Sequence, residues 1–122
     1  EYSSDDQANE NELLFTEDRL QEYLDNKQLV FLNFTADWCI TCKVNERVAL
    51  KSTKVLALMN AKNIKYIEAD WTRKDAVIAK KLEEYGRTGV PLYLLYSSKG
   101  EPIILPEILT EDILLGFLNE LS

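Results

Sequence analysis

The stretch Ala36-Asp37-Trp38-Cys39-Ile40-Thr41-Cys42-Lys43 contains both cysteines of the chain and lies between an apolar, strand-like run and a helix-like run. A Cys-X-X-Cys joining a strand to a helix puts its first sulfur at the helix N-terminus, where unpaired N–H groups and the macrodipole favour an anion. Cys39 is therefore the natural thiolate. Cys42, one turn further on, faces the same side and can attack a mixed disulfide formed at Cys39, releasing the product. The chemistry indicated is dithiol–disulfide exchange. With two cysteines and no histidine in the chain, a structural zinc site has too few ligands, and no metal or cofactor is expected. Two thiolates can still hold Cu(I), so a copper(I)-binding module using the same pair stands as an alternative.

Upstream of the cysteines, Leu29 to Thr35 is nearly continuously apolar and β-prone, as a central strand covered on both faces should be. Asn33 interrupts it, and a buried amide needs a hydrogen-bond partner, expected near the redox loop that follows. Further upstream, Leu13-Leu14-Phe15 reads as a short edge strand. Thr16 then caps a helix with Glu17 and Asp18 in its first turn, ending near Asn26.

Downstream, Val44, Val48 and Ala49 recur at helical spacing, and Ser52 or Thr53 caps a further helix through Val55, Leu56 and Met59. Ile64 to Asp70 makes a second strand. Asp70-Trp71-Thr72 leads into a helix with Ile78, Leu82 and Tyr85 on one face, stopping at Gly86. Two βα units in series imply parallel strands with helical crossovers. Pro91 to Tyr96 is a third β-prone run, Glu101 to Leu105 its hairpin partner, and Thr110 caps a last helix whose buried side is Ile113, Leu114, Phe117, Leu118 and Leu121.

At 122 residues, 46% hydrophobic and 29% charged, the chain has the composition of one ordinary globular domain. A net charge of −7 argues against a nucleic-acid partner. Runs such as Leu29-Val30-Phe31-Leu32 are far short of the about twenty residues that span a bilayer. Residues 1–12 carry five acids and no Lys or Arg, and read as an acidic flexible lead or linker, with an acidic docking arm as the functional alternative. Beginning at Glu1 with no apolar signal core, the sequence reads as a processed form or a piece of something longer.

The order strand, Trp-Cys-X-X-Cys-Lys, helix, strand, helix, Gly-Val-Pro, hairpin, helix resembles the thioredoxin fold over about Leu13 to Leu121. The resemblance implies an α/β domain over residues 13–122 with a central mixed β-sheet flanked by helices, the Cys-X-X-Cys at a helix N-terminus and a cis-Pro loop at Val90-Pro91. That loop would turn the Val90 backbone toward the cysteines, where an extended substrate segment can pair with it. Within that superfamily, Thr35-Ala36-Asp37-Trp38-Cys39-Ile40-Thr41-Cys42-Lys43-Val44-Asn45-Glu46, Asp70-Trp71-Thr72 and Gly89-Val90-Pro91-Leu92-Tyr93 are similar to the C-terminal periplasmic domains of the DsbD family of thiol:disulfide interchange proteins, copper-sensitivity-suppressor relatives included.

By that resemblance, Cys39 and Cys42 take electrons from a membrane-embedded domain of the same polypeptide and hand them to periplasmic thiol proteins. The domain would then be a soluble periplasmic part of an inner-membrane protein, monomeric when isolated, with the acidic lead as tether. Cys39, Cys42 and Glu46 are the expected catalytic residues, and Trp38, Val90 and Pro91 the substrate-facing ones. Glu46 falls on the face of Cys39 and Cys42, where its charge, with that of Asp37, opposes the helix dipole and Lys43. Disfavouring the thiolate in this way suits an electron donor, whereas an oxidase or isomerase, the other alternative, stabilises it. Asn33 departs from the family, whose better-known members carry a buried Asp that relays a proton to the second cysteine. An amide cannot take that proton, so Glu46, a water or the partner protein is expected to assist Cys42. Trp38 is expected to cover the site; Trp71 reads equally as rim or as packing.

Overall fold

The computed structural model describes residues 12–99 and 101–121. Residues 1–11, which carry nearly all of the acidic lead, lie outside them. Five strands, β1 (Glu12–Leu14), β2 (Val30–Thr35), β3 (Lys65–Asp70), β4 (Leu92–Tyr96) and β5 (Pro102–Ile104), form one sheet in the order β1-β3-β2-β4-β5. The first three strands run parallel, while β4 is antiparallel to β2 and β5 antiparallel to β4. The sheet is the expected mixed one, with β2 at its centre. The edge strand starts one residue earlier than expected, at Glu12, and the Phe15 N–H still pairs with the Glu68 carbonyl at 2.8 Å.

Among the described residues four helical segments connect the strands, α1 (Glu17–Asp25), α2 (Ile40–Asn45, continued by a π-helical turn Glu46–Leu50), α3 (Thr53–Ala61) and α4 (Ala76–Glu84), and a fifth, α5 (Glu111–Glu120), follows β5. Short polar side chains start most of them. Thr16, Ser52, Asp75 and Thr110 accept the first free N–H groups of α1, α3, α4 and α5, each cap contributing about 0.5–2 kcal/mol. Gly86, at φ +73, takes the left-handed position that ends α4 and sends the chain toward Val90.

Every residue of β2 is buried, because alternate side chains enter two separate cores. Val30, Leu32 and Phe34 pack with Leu20 of α1 and Ile78 and Leu82 of α4. Phe31 packs on the opposite face with Tyr66 and Tyr93 of the sheet, Val55 and Met59 of α3 and Leu114 and Leu118 of α5. The continuous apolar run of β2 is therefore the signature of a strand covered on both sides.

One expectation about helix faces needs correction. Ile113 is 39% exposed, and the buried side of α5 is carried by Leu114 and Leu118 with Leu121 just beyond the helix. In α2, Val44 and Val48 are 39% and 43% exposed, and the inward residues are Cys42 and Asn45, with Ala49 and Leu50 following in the π turn. Periodicity located the helix but not the side that the sheet covers.

Candidate active site at the start of helix α2

The end of β2 delivers the chain to a turn in which the Cys39 N–H bonds the Ala36 carbonyl at 3.1 Å. Cys39 is itself the N-cap of α2, with extended backbone, and its sulfur accepts the Cys42 N–H at 3.1 Å. A helix N-terminus offers unpaired N–H groups and the positive end of the peptide dipoles, and both favour charge on that sulfur when it is a thiolate. Cys39 and Cys42 are joined in a disulfide with their Cα atoms 5.2 Å apart. Cys39 keeps 7% of its surface exposed and Cys42 none, so only the first sulfur can be approached from outside.

The sequence-predicted residues converge to different degrees. Val90 packs against Ala36, Cys39 and Cys42, and the peptide bond joining it to Pro91 is cis. Pro91 therefore sits at the head of β4 with its predecessor laid against the sulfurs. Trp38 is 49% exposed and its indole N–H donates to the Thr72 carbonyl at 2.9 Å. Trp71 is no bystander in packing, since its ring lies 6.0 Å from that of Trp38 and 4.0 Å from where a Cβ on Gly89 would stand. It wedges between the cysteine loop and the Val90 loop, with the Lys74 ammonium 5.4 Å from the Trp38 ring centre and 6.0 Å from its own.

Glu46 opens the π turn and reaches back beneath the site. One carboxylate oxygen accepts the Thr35 hydroxyl at 2.8 Å, and the other lies 3.7 Å from the Lys43 ammonium, which also sits 3.6 Å from Asp37. Only 16% of the Glu46 side chain is exposed, so this is no free surface carboxylate. Burial of the Tyr93 hydroxyl pushes its pKa up to about 12, the Asn45 hydrogen bond partly offsetting this and the Glu46 charge adding a smaller upward push.

Asn33 does not have the partner expected of it. Its amide N–H donates to the Tyr66 hydroxyl at 2.9 Å. Tyr66 is paired in register with Phe31, so the bond points back down the strand, away from the redox loop. The reason is geometric: side chains on one sheet face meet diagonal neighbours on the adjoining strand, and the adjoining Tyr66 offers a hydroxyl there. The Asn33 carbonyl oxygen has no partner among the described residues.

Sequence reading missed Thr72 and Asn45. The Thr72 hydroxyl accepts the Asp37 N–H at 2.8 Å, so with its carbonyl on Trp38 it ties the cysteine loop to the β3–α4 loop. Asn45 is 1% exposed. Its amide donates to the Tyr93 hydroxyl at 2.8 Å and the Glu107 carbonyl at 2.7 Å, while its oxygen accepts the Leu109 N–H at 3.1 Å. An Asn inside a helix, where it is a poor former, was the available signal. Among the described residues no three His, Cys, Asp or Glu side chains converge, so the copper reading rests on the two sulfurs alone.

A single Cys-X-X-Cys disulfide capping a helix, roofed by a residue that precedes a cis-proline, on a mixed sheet of this order, defines a thioredoxin-fold dithiol site. The family model described as thioredoxin-like matches residues 10–98, and the chain belongs to that family. It is 25% identical over 95 residues to the thiol:disulfide interchange protein DsbD of Campylobacter jejuni, an alignment covering 78% of this chain and 16% of that protein. With DsbD of Yersinia pestis the identity is 32% over 74 residues, covering 61% of this chain and 12% of the relative. The chain thus spans less than a fifth of the curated relatives it matches. The C-terminal domain of Neisseria meningitidis DsbD superposes with a TM-score of 0.72 in its reduced form at 22% identity, covering 89% of this chain and 99% of that one. Its oxidised form gives 0.69 at 23% identity, covering 90% and 99%.

Proposed function

We propose that this chain is a thiol:disulfide oxidoreductase domain that passes two electrons to protein disulfides, in the manner of the DsbD proteins it resembles. The observation that carries the reading is the asymmetry of the two sulfurs: Cys39, at the helix N-cap, is within reach and Cys42 is wholly buried. In the reduced domain the Cys39 thiolate attacks the partner's disulfide and expels one partner thiolate. The Cys42 thiolate then attacks the Cys39 sulfur, breaking the mixed disulfide and expelling the second. The partner leaves as a dithiol, carrying two electrons and the two thiol protons, and Cys39 and Cys42 are left joined. Val90 and Pro91 present backbone to an incoming segment, and Trp38 covers one side of the sulfurs.

Glu46 is the group assigned to managing the Cys42 proton, supported by its burial beneath the site and its anchorage to Thr35 and Lys43. Donation rather than oxidation is the direction these carboxylates favour, since a negative charge at the site disfavours the thiolate. The electrons would come from a membrane-embedded domain of the same polypeptide and go to periplasmic thiol proteins, with residues 13–122 acting as a periplasmic domain and the acidic residues 1–12 as its tether. Among the described residues no helix is long and apolar enough to cross a membrane.

The test is the Cys42→Ala variant. Mixed with an oxidised protein substrate it accumulates a disulfide-linked adduct through Cys39, whereas Cys39→Ala yields none. Absence of the adduct contradicts the reading, and Glu46→Gln with an unchanged pH profile of exchange removes Glu46 from it.

A further inference from the structure

The outward side of α2 is not the solvated face that an active-site helix normally shows. Ile40 is 80% exposed, and Val44 and Val48, one and two turns below it, are 39% and 43% exposed. The row continues onto the loop before α5. Asn45 holds that loop by the Glu107 carbonyl and the Leu109 N–H, which sets Ile108, 64% exposed, beside the helix. Together these four side chains expose apolar surface on the order of 400 Å², the size at which a patch on a monomer marks an interaction site. That is roughly half of the ~800 Å² per partner that a stable interface buries, which fits a transient encounter better than a permanent dimer.

The charge beside this row is also unlike the rest of the molecule. Between Ile40 and Lys54 the chain carries Lys43, Arg47, Lys51 and Lys54 against Glu46 alone, in a protein of net charge −7. Lys43 is bound to Asp37 and Glu46, but Arg47 and Lys51 are exposed and are paired with no carboxylate among the described residues. Successive turns of one helix thus show an apolar row beginning at the residue after Cys39 and a basic row next to it.

We infer that this face of α2 is a docking surface for a redox partner protein that carries an apolar patch with an acidic rim next to its reactive cysteine. The inference deepens the proposed function and rests on it. Continuity decides the occupant: whatever protein brings a sulfur to Cys39 meets Ile40 first, and its contact extends down the helix to Val48. Charge decides the rim, because Arg47 and Lys51 attract acids while the negative remainder of the chain repels them, fixing the partner's orientation.

The test uses the reduced domain and two disulfide-linked peptide dimers, each with leucines at helical spacing after its cysteine. One carries glutamates and the other lysines, four or more residues from the sulfur. Rates are divided by those of the same peptides with dithiothreitol, and bis(2-hydroxyethyl) disulfide, which is uncharged, serves as a small substrate that touches only the sulfur. The wild type reduces the acidic peptide about tenfold faster than the basic one at low salt, in line with electrostatic steering. In Arg47→Glu/Lys51→Glu that preference disappears, and in Val48→Asn both peptides slow several-fold, while bis(2-hydroxyethyl) disulfide reacts in every variant as in the wild type. The charge double variant alters only exposed side chains, so it reads the rim even if Val48→Asn unfolds. Equal rates for the two peptides overturn the inference and leave the redox reading intact; no reaction with bis(2-hydroxyethyl) disulfide removes both. Binding to phosphatidylglycerol vesicles that the double variant loses overturns it in favour of a membrane surface, and a dimer in sedimentation that Val48→Asn abolishes overturns it in favour of a second copy.

Discussion

Under α1 and α4 the sheet presents Val30, Leu32, Phe34, Ile67, Leu92 and Leu94, a surface apolar apart from Tyr96 and from Lys65, whose ammonium lies over the Tyr23 ring of α1. The opposite face interleaves Asn33, Thr35, Tyr66 and Tyr93 with Phe31 and Leu95; its Thr35 and Tyr93 hydroxyls bond Glu46 and Asn45 of α2, Asn33 bonds Tyr66 within the sheet, and Asn45 goes on to the Glu107 carbonyl and the Leu109 N–H. The first face holds the fold together by burial, which is non-directional and tolerates exchange of one hydrocarbon for another. The second is directional: each polar group is buried, so each has to be aimed, and what they aim is the helix that begins at Cys39. Stability and function are thus assigned to opposite sides of one strand, β2, whose residues alternate between them.

The comparison can be broken most readily on the apolar side. Leu32→Ala is expected to cost about 2–5 kcal/mol, the range for a buried leucine that leaves a cavity, seen as a lower urea midpoint, with the exchange rate per folded molecule unchanged. A change in that rate would show that the two faces are not separable. On the polar side Asn45→Ala leaves the Leu109 N–H and the Glu107 carbonyl without their partner, at about 1–3 kcal/mol for unsatisfied buried groups. It also frees the loop around Ile108, so amide hydrogen exchange should quicken there before anywhere in β2. The smallest effect is on pH. The Tyr93 hydroxyl holds its proton up to about 12 in the folded protein, against about 10 when unfolded. A folded pKa above the unfolded one means that stability is complete below pH 10 and falls as pH rises from 10 through 12. Tyr93→Phe should flatten that decline, and a decline of equal slope in the variant would assign it elsewhere.

Much of this arrangement was legible in the residues because it is local. Thr16, Ser52 and Thr110 announced their helices because a cap acts on N–H groups two or three residues away, and β2 announced its double burial by its unbroken apolar run. The Cys-X-X-Cys marked a candidate dithiol site by its own spacing, whereas Val90-Pro91, about fifty residues on, was placed beside it only by the resemblance to the thioredoxin fold. What escaped is what depends on a partner far along the chain. Asn33 finds Tyr66 and Asn45 finds Tyr93 and the Glu107–Leu109 segment, and no periodicity specifies a hydrogen bond across 33 or 48 positions. Val44 and Val48 marked the helix by their spacing but not its covered side: an apolar stripe tells which residues want cover, and here this fold supplies none. Asp70-Trp71-Thr72 was legible as a motif but not as a clamp, since the bonds from Thr72 to Asp37 and Trp38 run between loops that only the fold brings together.

The sulfur asymmetry on which the proposed function rests can be measured without any partner. The reduced domain is treated with iodoacetamide at neutral pH for increasing times, and alkylation at Cys39 and Cys42 is followed separately by mass spectrometry. Faster modification of Cys39, with Cys42 protected until the protein is denatured, is the predicted result. Equal rates, or modification of Cys42 first, would contradict the account.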